Sequence, residues 1–288
     1  MYPTFLPIQF FKSNTVLPLE IAPENLSETL QFQSSGTTLQ NPSQHWILQP
    51  NLYKNSFHTA FQSRFGNPKN LCIIGLLPSY LERNNSSLVY MVNSLIQSSE
   101  VPGSGFYLNQ YETLWQQVLH NEKYQIPTVI FGVTFALLDL ADWINAQAEN
   151  KFFEPIKFIQ WVETGGMKGR GKELTRQELH SQLRLALNCS YVHSEYGMTE
   201  LLSQAYTRTL DGKFSTPPWM KILICDPLDP QDFLPYGKTG RICIIDLANL
   251  YSCCFIATDD IGKLYEDGSF EVLGRLDYSD LRGCNQLI

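Results

Sequence analysis

Five short stretches combine residue types that can do chemistry. "SSGTT" (Ser34, Ser35, Gly36, Thr37, Thr38) sets four hydroxyls around a glycine. A glycine there lets backbone N–H groups close on the oxygens of an anion. "HSEYGMTE" supplies a flat ring at Tyr196, a hydroxyl at Thr199 and, at Glu200, a carboxylate suited to a hard divalent cation. "ATDDIGKL" puts Asp259 and Asp260 side by side, two acceptors that match a ribose diol. "VLGRLDYSDLRGCN" carries Arg275, Arg282 and Cys284. "VETGGMKGRGKE" sets Gly165 and Gly166 behind an apolar run but lacks the Lys-Ser/Thr of a P-loop. Each stretch also has a plainer reading: a polar turn, a loop opening a helix, an Asp turn, a salt-bridged hairpin or a glycine-rich connection.

The elements that would position these residues follow from hydrophobic period. Residues 71–77, 128–133 and 156–162 are short, apolar and bounded by turn residues, which predicts buried strands. Between them, "NQYETLWQQVLHNE" brings Tyr111, Leu114, Trp115, Val118 and Leu119 onto one helical face. In "LTRQELHSQLRLAL", Thr175 and Glu178 form a capping-box pattern ahead of Leu179, Leu183 and Leu187. Strands alternating with helices predict an α/β fold, sheets covered by helices. Composition changes near "STPPWM", after which shorter strand-like pieces at 221–225, 241–247, 254–257 and 270–273 are separated by turn chemistry. The expected division is an α/β domain over 1–218 and a small β-rich subdomain over 219–288.

Composition removes several classes. At 288 residues, 43% apolar and 17% charged, the chain has the balance of a folded, soluble protein. Lys plus Arg number 21 against 28 Asp plus Glu, a net charge of −7, and there is no basic block, so no nucleic-acid partner is expected. No apolar run reaches membrane-span length, and the N-terminus lacks a cationic start and a small-residue cleavage site. The seven cysteines lack metal-ligand spacing and read as reduced thiols, which predicts a cytoplasmic location.

The order of the five stretches is more specific than any one of them. A Ser/Thr/Gly loop, a strand with Gly-Gly, Tyr-Gly-x-Thr-Glu, Thr-x-Asp and Gly-Arg-x-Asp together resemble the adenylate-forming superfamily. "FLPIQFFKS", "LLPSYLERNNSSLVYMV" and "GRLDYSDLRGCN" resemble its phenylacetate-CoA-ligase-like and luciferase-operon acyl-protein-synthetase branches. The resemblance implies ATP and Mg²⁺ as cofactors and a fatty or aromatic acid as substrate. Ser34, Ser35, Gly36, Thr37 and Thr38 would wrap the β- and γ-phosphates. Gly165 and Gly166 would border adenine, with Tyr196 against its face. Thr199 would meet the α-phosphate, Glu200 would hold Mg²⁺, and Asp260, Asp259 and Arg275 would serve the ribose. An acid oxygen would attack the α-phosphorus as pyrophosphate leaves, after which a thiol would take the acyl group and release AMP. Both partners of the first step are anionic, so positioning and charge neutralisation carry the barrier reduction.

Cys284 is the residue that matches the acyl-bearing cysteine of the luciferase-operon relatives, and Arg282 beside it would favour the thiolate. An acyl carrier protein or a partner acyl enzyme is the expected protein partner. The expected acyl pocket draws on 76–92, 131–138 and Trp161. Two departures stand out. The loop continues "LQNPSQH", without the usual Gly-x-Pro-Lys, and no room is expected after residue 283 for the mobile C-terminal domain that carries the catalytic lysine. They keep two rivals in view: an acyltransferase that has dispensed with ATP, and a non-catalytic nucleotide- or acyl-binding partner subunit.

Overall fold

Leu6–Pro7 (β1) opens the fold as a short strand and runs into a helical turn, Phe10–Ser13 (α1). The structure, a computed structural model, describes residues 4–17, 29–34, 42–77, 85–147, 155–165, 174–208, 211–229 and 231–276. Leu30–Gln33 (β2) and Gln44–Ile47 (β3) pair antiparallel as a separate two-stranded sheet. Pro50–Phe65 (α2) follows, with proline in its first turn, where the missing N–H costs nothing. Its Tyr53, Phe57 and Phe61 recur every fourth residue and are fully buried. That spacing is visible in the sequence and places one aromatic face of the helix on the sheet.

The central strands are Cys72–Leu76 (β4), Gly105–Phe106 (β5), Thr128–Val133 (β6), Ile159–Thr164 (β7) and Val192–Tyr196 (β8). They run parallel in the order β5-β4-β6-β7-β8. Every residue of β4 and β6 is buried, as a sheet covered on both faces requires. The covering helices include Ser87–Ser98 (α3), Tyr111–Lys123 (α4), Thr134–Ala146 (α5) and Arg176–Ala186 (α6). The Thr175–Glu178 capping box is formed as expected, with the hydroxyl accepting from the Glu178 N–H and the carboxylate accepting from the Thr175 N–H.

Beyond β8 the same sheet turns antiparallel through Ala205–Thr207 (β9), Phe214–Ser215 (β10), Met220–Cys225 (β11), Thr239–Asp246 (β12), Phe255–Leu264 (β13) and Phe270–Arg275 (β14). The order continues β8-β9-β10-β14-β13-β12-β11, with β1 lying parallel to the start of β13. One large core fills the parallel half, and a second, built on Phe11, Tyr196, Phe214 and Phe270, lies at the antiparallel half. The aspartate pair, whose plainer reading was a turn, lies inside a ten-residue strand, β13. His193–Tyr196, whose plainer reading was a loop opening a helix, likewise completes β8. Neighbouring strands satisfy the backbone on both sides, which overrides local turn preference. Among the described residues no helix is long and apolar enough to cross a membrane.

Candidate functional site

The carboxyl ends of β7 and β8 bring several of the expected residues to one place. In open α/β sheets ligands bind outside these strand ends. β7 ends at Thr164 and passes to Gly165, whose φ of +74° is a left-handed value that a side chain would strain. β8 ends at Tyr196, and the chain turns through Gly197 to Thr199 and Glu200.

The β2–β3 hairpin is stitched to that turn. At its loop end Ser34 and Ser43 close on each other, the Ser34 N–H donating to the Ser43 carbonyl (3.0 Å) and the Ser43 N–H to Ser34 Oγ (2.8 Å). The Ser43 side chain lies near Glu200 and acts to lower its carboxyl pKa. Two residues along β3, His45 Nδ1 meets the Thr199 carbonyl at 2.8 Å and its Nε2 meets Ser252 Oγ at 2.8 Å. Thus one hairpin both closes the Ser/Thr/Gly loop and positions Thr199 and Glu200. Burial pushes the Glu200 carboxyl above its usual range, opposed by Ser43 and by the charges of Arg275 and Lys12.

On the antiparallel side, Tyr196 donates to Asp260 Oδ2 (2.8 Å) while Arg275 Nε approaches Oδ1 at 3.4 Å. The β13–β14 register sets Asp260 opposite Arg275. Asp259 accepts from Gln9 Nε2 and lies 3.4 Å from Arg241. The Tyr196 ring packs against Phe270 (5.5 Å) and Phe214 (5.8 Å), leaving it 8% exposed. Thr199, Glu200, Tyr196, Asp259, Asp260, Arg275, Ser34 and Gly165 are therefore described. Ser35, Gly36, Thr37, Thr38, Gly166 and Cys284 lie outside the described residues.

The sequence reading missed the residues that hold the site together. Ser43, His45, Gln9 and Arg241 were given no role there, and the partners of the last three are 154, 250 and 18 positions away. Asp246, fully buried, accepts from the Leu202 and Ala248 N–H groups and from Ser203 Oγ, fixing the chain just after Glu200. Phe131, Leu137 and Trp161, expected to line an acyl pocket, are fully buried in the main core. A small cleft is lined instead by Trp46, Ile47, Leu52, Leu202 and Tyr251.

Burial lowers the His45 pKa to about 4, so the ring is neutral at physiological pH. An unfolded histidine takes its proton near pH 6.5, so between pH 6.5 and 4 the unfolded state binds more protons, and this group loses stability as pH falls. In His45→Gln that contribution vanishes. The stability gap between wild type and variant shifts against the wild type by about 3 kcal/mol across this window, read by urea melts at each pH. A parallel pair of pH profiles would show that His45 is not buried in its neutral form.

The layout defines a class: the chain has the adenylate-forming fold, as the motif order implied. It is similar to the long-chain-fatty-acid-CoA ligase from Archaeoglobus fulgidus, with a TM-score of 0.60 and 18% identity, over 92% of this chain and 55% of that one. ATP-bound MatB from Rhodopseudomonas palustris superposes with a TM-score of 0.58 and 17% identity, over 85% of this chain and 47% of that one. In sequence, the long-chain-fatty-acid–luciferin-component ligase of Vibrio harveyi is 28% identical over 91 residues, 30% of this chain and 24% of that protein. This chain therefore spans about half the length of those solved structures, and its matched stretch about a quarter of the curated relative. No family profile matches it.

Proposed function

We propose that this protein activates a fatty or aromatic carboxylic acid as its acyl-AMP, using ATP and Mg²⁺, and passes the acyl group to a thiol. The observation that carries the reading is the 2.8 Å hydrogen bond between His45 and the Thr199 carbonyl, which ties the hairpin flanking the Ser/Thr/Gly loop to the turn that carries Glu200. Phosphates held by Ser34–Thr38 would then lie beside the group that neutralises them. Magnesium is held by one or two carboxylates together with substrate phosphates and water. A single carboxylate at Glu200 fits that donor set, and among the described residues no cluster of three or more His, Cys, Asp or Glu forms a self-sufficient cation cage. The metal would supply charge neutralisation for the departing pyrophosphate.

The chain's own groups do the rest. Thr199 orients the α-phosphate. Tyr196 and Arg275 fix the Asp260 carboxylate for the ribose, with Asp259 beside it, and Gly165 and Gly166 border the base. In this reading residues 1–218 bind nucleotide and acid, and residues 219–288 close the ribose side. Cys284 is the acyl acceptor, and an acyl carrier protein or partner acyl enzyme donates or receives the group. Cysteines read as reduced thiols support a cytoplasmic location. The absence of a lysine from "SSGTTLQNPSQH" favours a second reading, acyl transfer without ATP.

Two measurements separate them. Mg-ATP at a hundredfold excess over its Kd stabilises the folded state by about 2.7 kcal/mol and raises Tm accordingly. Acid-dependent exchange of labelled pyrophosphate into ATP accompanies it, and intact-mass spectrometry shows a hydroxylamine-labile adduct absent from Cys284→Ser. A folded sample with no Tm shift at millimolar Mg-ATP and no exchange overturns the adenylation reading. An adduct that persists in Cys284→Ser removes that cysteine alone.

A further inference from the structure

Two strands of the antiparallel half carry a pair of thiols that the adenylation reading does not use. β11 and β12 turn Ile222, Ile224, Ile242 and Ile244 toward the second core. Their other face carries Leu223, Cys225, Arg241 and Cys243, because side chains alternate along a strand. The register sets Cys225 opposite Arg241 and Cys243 opposite Leu223, so the two cysteines are diagonal neighbours on that face. Phe5 and Phe233 pack over them in a small third cluster, and both thiols are fully buried. Their sulfurs lie 3.1 Å apart. That is closer than the roughly 3.5–4.0 Å of ordinary contact between carbon atoms, although sulfur is the larger atom. No spacing motif announces the pair, whose members are 18 positions apart in the chain.

The two thiols are not equivalent. The bond from the Cys243 thiol lowers the Cys225 pKa against the effect of burial, and the Arg241 guanidinium adds to it. The same bond and burial raise the Cys243 pKa. One sulfur is thus inclined to the thiolate, the form that attacks an oxidant, and the other keeps its proton. Arg241 is held in place, its Nε donating to the Thr258 carbonyl at 2.5 Å and its Nη2 lying 3.4 Å from Asp259 Oδ1. Among the described residues no third His, Cys, Asp or Glu joins the pair in a metal-binding group, so the partner of each sulfur is the other. β11 is the outermost strand of the large sheet. Local opening at such an edge costs less than global unfolding and admits a small oxidant.

We propose that Cys225 and Cys243 are a peroxide-responsive pair that closes to a disulfide and reopens on reduction, reversibly stapling β11 to β12. The inference stands whether or not the protein forms acyl-adenylates. The Cys225 thiolate attacks one oxygen of hydrogen peroxide; the O–O bond breaks, and hydroxide leaves with the proton that Cys225 gave up, as water. Cys225 is now a sulfenic acid. The Cys243 sulfur attacks the sulfenic sulfur, its S–H proton departs with the hydroxyl as a second water, and the S–S bond forms. The two sulfurs together lose two electrons and peroxide gains them. A cytoplasmic disulfide of this kind is transient, and an external thiol returns both cysteines to the reduced form by exchange.

The test treats the reduced, folded protein with hydrogen peroxide, blocks remaining thiols with iodoacetamide and maps the peptides by mass spectrometry. A linked peptide joining Cys225 to Cys243 should appear, lighter than its two parts by two hydrogens and lost on adding dithiothreitol. The oxidised protein should melt about 5 °C or more above the reduced one, because the bond constrains the unfolded chain between the two strands. Dimedone should trap a sulfenic acid on Cys225 in Cys243→Ser at least about tenfold more than on Cys243 in Cys225→Ser. If either serine variant folds poorly, the wild-type peptide map and melting curves decide alone. Two separately alkylated cysteines after peroxide, a linkage that forms only in urea, or a linkage without a rise in Tm overturns the staple. Preferential trapping on Cys243 overturns the assignment of Cys225 as the attacking thiol.

Discussion

Glu200→Gln lowers pyrophosphate exchange by about 10²- to 10³-fold while the protein stays folded. Glutamine keeps the shape, and the His45 bond to the Thr199 carbonyl is untouched, so the hairpin remains docked on the turn. What disappears is the negative charge, and with it the ligand that brings a divalent cation to the departing pyrophosphate. The loss falls on kcat and kcat/KM together if the interaction strengthens in the transition state, which steady-state exchange kinetics reads directly. Burial already holds the Glu200 carboxyl high, with Ser43, Arg275 and Lys12 pulling it back. A Gln variant that exchanges pyrophosphate at the wild-type rate would assign the metal to another group.

Asp246→Ala has the largest expected effect on stability. Its carboxylate accepts from the Leu202 N–H (2.9 Å), Ser203 Oγ (2.6 Å) and the Ala248 N–H (3.1 Å), all away from solvent. Alanine leaves two backbone donors and a hydroxyl without an acceptor at once. Each such group costs about 1–3 kcal/mol, so a loss of roughly 3–5 kcal/mol is expected in urea unfolding. That is a large share of the roughly 5–15 kcal/mol that keeps a typical domain folded. Asp246→Asn retains one acceptor oxygen and should lose less. An alanine variant within 1 kcal/mol of wild type in urea would mean that water replaces the carboxylate, and that the chain after Glu200 is held from elsewhere.

Local pattern was enough for the elements. The apolar runs that became β4, β6 and β7 needed only length and flanking turns, and Thr175 with Glu178 marked the start of α6 because a capping box is completed within one turn. The aromatic spacing of Tyr53, Phe57 and Phe61 in α2 is equally local, although the sequence reading did not use it. The order of motifs pointed to the adenylate-forming fold because strand ends meet in space in a sequence set by the topology. Asp259 and Asp260 show where local reading stops. By composition they belong in a turn, yet pairing with β12 and β14 draws them into β13.

By itself, then, the sequence determined which segments are strands and helices, and which side chains carry hydroxyls, carboxylates and glycines near strand ends. Only the tertiary structure decided which of these meet. His45 reaches Thr199 and Gln9 reaches Asp259 across separations of 154 and 250 residues. No periodicity or motif encodes such pairs. They exist because a hairpin outside the main sheet docks on the end of β8 and because β1 lies beside β13. The burial that turns an ordinary histidine neutral comes from that same docking: a pKa is set by the dielectric and the partners around a group, and both are assembled by distant parts of the chain.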